Sequence, residues 1–224
     1  MQDETKLAAA KRSMEFIESG MRVGIGSGTT VKYAIELLGE RVRQGLKIIG
    51  VPTSNVTADL AAHQGIELAT FEEVQELDVA IDGADEIGPE LSLIKGGGGA
   101  LLHEKIVASA AKDFIIVVGE GKVVHHLGNF PLPVEVIPFA AGLVRNHLDE
   151  LGGKPVLRPG PEGGHYVTDE QNWIFDCHFG AIENPHELAA EIRSIVGVVE
   201  HGLFLDMATR AVVADSEGVR LLER

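Results

Sequence analysis

The sequence predicts an α/β chain: a mostly parallel sheet with helices on both faces, accompanied by a smaller α+β domain. Two observations carry this. Over the first half, short apolar runs bounded by glycine alternate with segments of helical period, the pattern of parallel β-α-β units. Beyond Gly128 the order changes to β-α-β-β-α with a hairpin, the pattern of a small mixed domain.

Taken in order, Leu7, Ala10, Met14 and Ile17 share one helical face and Gly20 follows as a stop. "MRVGIG" reads as a short buried strand and "SGTT" as the loop after it. Val31, Ala34, Ile35 and Leu38 predict a helix over 30–43, and "KIIGV" is the next strand. Residues 52–54 form a turn, with Asn55 capping a third helix that ends at Gly65. "IELA" and "LDVAID" are strands, 100–111 is a helix carrying Leu101, Ile106 and Val107, and "DFIIVVG" is a fully apolar strand. In the second region, "GNFPLPVEVIP" is a proline-rich linker entering a strand. A helix over 139–151, a strand near 154–157, the turn "PGPEGG", strands over 166–168 and 173–177, and a helix over 185–195 follow. "GLFLDMATRAVVADSEGVRLL" returns to short strands and is expected to rejoin the first sheet. The division expected is 1–127 plus 203–224 for the sheet domain and 128–202 for the small one.

Composition narrows the function. The 224 residues are 45% apolar and 24% charged, an ordinary globular balance, and no apolar run approaches the ~20 residues of a membrane helix. The opening "MQDETKLAAAKRSMEF" is charged throughout and lacks a signal core, so a cytoplasmic protein is expected. A single cysteine, Cys177, forms neither an intrachain disulfide nor a thiolate metal cage, and is expected to be a small buried residue. With a formal charge of −15 and scattered Lys and Arg, the chain is not expected to bind nucleic acid. An acidic protein can still hold a small anion by focusing backbone N–H groups and a few lysines on it.

Candidate chemistry lies in loops after predicted strands, where open α/β sheets bind their ligands. "GIGSGTT" fails the dinucleotide pattern, because the third glycine would fall at Thr29 and no acid closes the next strand. What remains is a strand, a turn and a helix start, with Ser27, Gly28, Thr29 and Thr30 able to ring a phosphate or simply to make a tight turn. In "IDGADEI", Asp82 ends an apolar strand, where a carboxylate is costly unless paired or used. Gly83 lets the backbone approach a ligand, and Asp85 follows. These acids can hold sugar hydroxyls, move protons or, with Glu86, offer hard oxygen ligands, but no ligand spacing accompanies them and no metal is expected. "KGGGGALLHEK" presents bare backbone to an oxyanion, with Lys95 at its edge and Glu104 on the helix that opens next. A carboxylate base beside an oxyanion site is what proton abstraction next to a carbonyl requires.

Through "GIGSGTT", "GVPTS", "DGADEI", "KGGGGALLHEKIVA", "LPVEVIPF", "LGG" and "GVVEHGLF" the chain resembles type A ribose-5-phosphate isomerases over nearly its whole length. The resemblance implies a Rossmann-like three-layer domain and a smaller α+β domain of ferredoxin-like kind, the latter a candidate oligomer contact in a homodimer or homotetramer. It implies a sugar-phosphate substrate bound without a cofactor. Ser27, Gly28, Thr29 and Thr30 would bind the phosphate or the sugar end near it. Asp82, Gly83, Ala84 and Asp85 would line the sugar and assist ring opening. Lys95, Gly96, Gly97 and Gly98 would form the oxyanion site, Glu104 would be the general base, and Lys122 in "GEGKVV" would be a substrate-binding lysine. The rival readings are a related sugar-phosphate isomerase or deaminase-isomerase, a sugar-phosphate sensor domain, and a nicotinamide oxidoreductase. The first lacks its acid and histidine arrangement, the second its helix-turn-helix, and the third its glycine pattern.

Overall fold

The computed structural model describes residues 2–161 and 163–224. The chain opens with α1 (Gln2–Ser13), β1 (Arg22–Ile25), α2 (Thr29–Arg43), β2 (Ile49–Pro52), α3 (Asn55–His63), β3 (Glu67–Leu68) and β4 (Leu77–Asp82). Then come β5 (Glu86–Ile87), β6 (Leu93–Ile94), α4 (Leu101–Ala110) and β7 (Ala111–Val118). The remainder is β8 (Leu132–Val136), α5 (Ala141–Glu150), β9 (Val156–Leu157), β10 (Trp173–Cys177), α6 (Pro185–Ser194), β11 (Val198–His201), β12 (Leu203–Phe204), β13 (Arg210–Asp215) and β14 (Gly218–Glu223). No described helix is long and apolar enough to cross a membrane.

Contacts divide the chain into two units. The first comprises the chain up to Ala84, His103–Val123 and Asp206–Arg224. It is built on a seven-stranded sheet of order β14-β13-β7-β4-β1-β2-β3, parallel except for the β13–β14 hairpin. The sheet is apolar because it is covered twice. One face packs Val23, Ile25, Val79, Ile81, Ile115, Val117 and Val212 against Ala9 and Ala10 of α1, Val31, Ile35 and Leu38 of α2, and Ala61 of α3. On the other face α4 lies so close to β1 that a Cβ at Gly24 would stand 2.5 Å from Val107 Cγ1 and 2.8 Å from Ala80 Cβ. Helices on both faces make the three-layer α/β arrangement that the strand pattern predicts.

The second unit comprises Asp85–Leu102 and Val124–Leu205. Its four-stranded antiparallel sheet has the order β11-β8-β10-β9 with α5 and α6 in the crossovers, a ferredoxin-like β-α-β-β-α-β path. Val134, Val136, Val144, Leu148, Phe175, Cys177 and Ile192 fill its core, and burial raises the Cys177 thiol pKa, keeping it neutral. A small antiparallel sheet, β12-β6-β5, adds Ile94 and Leu203 to that core. Residues 85–102 group here because β6 pairs with β5 on one side and β12 on the other, rather than with the parallel sheet. Buried Glu86 holds the proline-rich linker by accepting N–H groups from Gly128 at 2.7 Å and Phe130 at 2.6 Å.

Several local expectations are corrected. The helix expected to run to Ile17 ends at Ser13 and tightens into a 3-10 turn over Met14–Phe16. There Ser13 Oγ donates to the Ala10 carbonyl, and Arg41 donates to the carbonyls of Met14 and Ile17. The α3 cap is Ser54, not Asn55. Ser54 has the extended backbone that a cap needs, and its Oγ accepts the Thr57 N–H at 3.1 Å. No strand forms over 166–168, since Thr168 closes a turn with Asn172, and both side chains donate to buried Glu135. Of the last segment, β13 and β14 do join the parallel sheet, while β12 pairs with β6. Within the predicted turn "PGPEGG", Glu162 lies outside the described residues.

Two outcomes follow from this packing. Gly24→Val drives a side chain into β4 and α4 and is expected to lower stability by about 3 kcal/mol; an unchanged urea midpoint would contradict the close approach of α4. Asp78 accepts the Arg22 backbone N–H at 2.9 Å, which with burial-opposed help from the Arg22 side chain and Lys112 holds its carboxyl below the usual 3.8. A depressed folded pKa contributes stability above the unfolded value and loses it as pH falls through the folded one. The stability gap between the wild type and Asp78→Asn should therefore be full at neutral pH and shrink below about pH 4. A gap independent of pH in acid melts would remove this role.

Candidate active site

The order of the parallel sheet reverses between β1 and β4, and in open α/β sheets the loops leaving the two strands at such a reversal border a crevice. This crevice is where an open α/β sheet binds its ligand, and "GIGSGTT" and "DGAD" both end there. The backbones meet closely at this point. Gly26 donates its N–H to the Ile81 carbonyl at 2.9 Å, and any Cβ at Gly26 would overlap the Asp82 carboxylate. Asp82 is 2% exposed. Its Oδ1 accepts the Ser27 N–H at 3.1 Å and the Gly83 N–H at 2.7 Å, so the acid at the end of β4 ties down both loops.

The Ser27 hydroxyl lies within hydrogen-bond distance of three others: Thr53 Oγ1 at 2.7 Å, Ser54 Oγ at 3.0 Å and Thr57 Oγ1 at 3.1 Å. Thr57 in turn donates to the Gly26 carbonyl at 3.0 Å. The loops after β1 and β2 are thereby stitched together at the start of α2 and α3. Gly28, with φ 100°, turns the chain into α2, whose first helical bond runs from the Lys32 N–H to the Gly28 carbonyl. The N–H groups of Thr29 and Thr30 precede that bond and have no acceptor within the helix. Together with the positive end of the helix and the exposed Thr29 hydroxyl, they form the donor-rich corner that a phosphate requires. Thr53, Ser54 and Thr57 were not singled out from the sequence. Only the β1–β2 pairing brings them beside Ser27, although the sequence does show hydroxyl residues following the second strand.

Two more expected residues belong to this unit. Glu104, the expected base, stands in the first turn of α4 and is buried, only 5% exposed. Lys122 is half-buried in the loop that leaves β7. Ala84, also half-buried, is the last residue of the unit's second loop.

The glycine run belongs to the second unit, and its conformation is held from several sides. Lys95 is 2% exposed, with its amine 5.4 Å above the Phe204 ring, and its backbone N–H bonds the Gly202 carbonyl at 2.9 Å. Gly96 and Gly99 have φ of 101° and 88°, a region side chains disfavour. A Cβ on Gly97 would stand 2.7 Å from the Asp85 carboxylate, which accepts the Gly97 N–H at 2.8 Å. A Cβ on Gly98 would meet nothing within 4 Å, and the residue is exposed. Arg158 donates to the carbonyls of Gly96 at 3.0 Å and Gly97 at 3.3 Å, and the Tyr166 hydroxyl donates to that of Gly98 at 3.2 Å. Arg158 and Tyr166 carry no motif and were not anticipated.

Both units thus show polar groups gathered around glycine backbone, and the acids have defined tasks. Glu86, a candidate hard ligand on sequence grounds, has both oxygens engaged by the linker. One oxygen of Asp85 holds the glycine loop.

Residues 49–218 match the family model for ribose 5-phosphate isomerase A (phosphoriboisomerase A). Ribose-5-phosphate isomerase A of Nitrobacter hamburgensis is 50% identical, the alignment covering 99% of this chain and 98% of that protein. The Synechococcus enzyme of the same name is also 50% identical, with the same coverage. Among solved structures, a D-ribose-5-phosphate isomerase in complex with phospho-erythronic acid superposes with a TM-score of 0.98 at 42% identity over all of both chains. The ribose 5-phosphate isomerase of Methanocaldococcus jannaschii does so at 0.96 and 41%, again over all of both chains. A fold, a pattern of loops and a level of identity shared from end to end lead to one conclusion: this chain belongs to the ribose 5-phosphate isomerase A family of enzymes.

Proposed function

We propose that the chain interconverts ribose 5-phosphate and ribulose 5-phosphate by moving a proton between C2 and C1 through a cis-enediolate. The observation that carries this reading is the glycine loop: its carbonyls are drawn back by Arg158 and Tyr166. A peptide N–H points away from its own carbonyl, so the Gly98 N–H faces the other way, as an oxyanion donor must. Buried Lys95 at the start of that loop supplies positive charge.

In the proposed cycle, Ser27, Gly28, Thr29 and Thr30 hold the phosphate, and Lys122 adds a positive contact to the substrate. Asp82, Gly83, Ala84 and Asp85 hold the sugar hydroxyls and assist opening of the furanose. The Glu104 carboxylate takes the C2 proton of the open aldose, and the electron pair shifts to the C1 oxygen. Lys95 and the N–H groups of Gly96, Gly97 and Gly98 stabilise the charge that develops there. Glu104 then returns the proton to C1 while the proton of the C2 hydroxyl passes to the C1 oxygen, so that C1 becomes the hydroxymethyl group and C2 the ketone. Proton and electron counts balance without a redox partner. The solved relative that carries phospho-erythronic acid supports a ligand of this class, a phosphorylated sugar acid whose carboxylate resembles the enediolate in charge. We further propose that the chain works in the cytoplasm as a homodimer or homotetramer, with the ferredoxin-like portion as the contact.

Two experiments test the chemistry. Incubated with ribose 5-phosphate in deuterated water, the enzyme should form ribulose 5-phosphate carrying deuterium at C1, with EDTA making no difference. Absence of conversion, or its loss with EDTA, would overturn the reading. Glu104→Gln removes the base while keeping the shape, and turnover should fall by about 10²–10⁴ with KM little changed. Turnover close to the wild type, in a variant with an unaltered melting curve, would take Glu104 out of the base role.

A further inference from the structure

Resting on the isomerase reading above, we propose that Arg158, braced by Asp176, and Tyr166 are positioning residues that set the peptide planes of the glycine loop for oxyanion stabilisation.

A run of glycines is the most flexible backbone available, and left to itself it would sample many orientations of its N–H groups. Oxyanion donors work only when their direction is set before the charge develops. The contacts of the loop supply that order. Arg158 Nη1 bonds two successive carbonyls, those of Gly96 and Gly97, and the Tyr166 hydroxyl bonds the third, that of Gly98. Because each peptide is planar and trans, fixing the carbonyl also fixes the N–H of the following residue, pointing the opposite way. The N–H of Gly97 thereby reaches the Asp85 carboxylate, the N–H of Gly99 closes a turn onto Gly96, and the N–H of Gly98 is turned outward.

The two side chains are themselves held. Asp176, on β10, grips the Arg158 guanidinium through two parallel bonds, Nε to Oδ2 at 3.0 Å and Nη2 to Oδ1 at 2.5 Å, which leaves Nη1 directed at the loop. The Arg158 side chain is only 11% exposed, which takes this pair out of the class of weak surface bridges. Tyr166 lies with its ring 5.7 Å from the guanidinium carbon, and its backbone N–H bonds the Arg158 carbonyl at 2.9 Å. Any side chain at Gly99 would collide with the Tyr166 phenol, so the glycine is needed to admit the phenol as well as to allow the turn. A lysine at 158 would keep the charge and lose the fork that serves Asp176 and the loop together.

The test compares Tyr166→Phe and Arg158→Lys with the wild type, using ribose 5-phosphate with hydrogen or deuterium at C2. Tyr166→Phe removes one hydroxyl and keeps the ring. It should lower kcat about tenfold with KM within about twofold, and Arg158→Lys about a hundredfold, since misdirected donors act on the transition state alone. In both, the isotope effect on kcat should rise, because proton abstraction becomes more fully rate-limiting. A merely structural role would reduce the folded fraction and leave the isotope effect where it is in the wild type. Wild-type kcat in Tyr166→Phe, or a loss of kcat with an unchanged isotope effect, would overturn the proposal. Tyr166→Phe decides alone if Arg158→Lys does not fold. A wild type that fails to isomerise at all would instead overturn the isomerase reading, and the two failures are distinct.

Discussion

The Asp82 carboxylate, sealed at the end of β4, is the interaction on which the order of the loops at the carboxyl end of the parallel sheet depends. It accepts N–H groups from Ser27 and Gly83, joining the loops of the two strands between which the sheet reverses its order. Such a carboxylate is expensive to bury, and charge-assisted bonds from backbone donors are what make it tolerable. Its presence dictates Gly26, because no other residue leaves room for it. It also fixes Ser27, and through the Ser27 hydroxyl it orders Thr53, Ser54 and Thr57 on the neighbouring loop. One buried acid therefore sets the start of α2 and the surroundings of α3.

The second unit solves a similar problem with the opposite sign. Here the element to be ordered is glycine backbone, and the ordering groups are side chains that donate to its carbonyls and accept one of its N–H groups. Arg158 and Tyr166 hold carbonyls while Asp85 holds an N–H, so the loop is gripped on both faces of its peptides. The glycines permit this grip as much as they need it: Gly97 and Gly99 leave space for Asp85 and Tyr166, whereas Gly98 faces open space.

Much of this was legible in the linear sequence. Alternation of apolar runs with helical segments indicated the parallel sheet because strands covered on both faces must be apolar where they are covered, as β7 is from Phe114 to Val118. The unusual residues of the candidate site were legible for a related reason. An aspartate ending an apolar strand and a glycine run before a helix both violate local preference, and such violations cluster where function requires them. Helix ends were less legible. Ser54 and Asn55 are both good caps, and the choice between them rests on which residue takes the extended backbone. Likewise the end of α1 is set by Arg41, a residue distant in sequence that takes the carbonyls of Met14 and Ile17.

From the sequence alone come most of the strands and helices of the parallel sheet, the loops that follow its strands, and the glycines and acids that break local preference. These are local properties, written in period, composition and steric freedom. Tertiary structure alone pairs β6 with β12 and β5 rather than with the parallel sheet, and brings Thr53 and Thr57 beside Ser27. It also decided that Glu104 is buried and that Arg158 and Tyr166 reach the glycine loop. Those facts depend on register and on approaches between residues more than sixty positions apart in the last case, and no local preference encodes them.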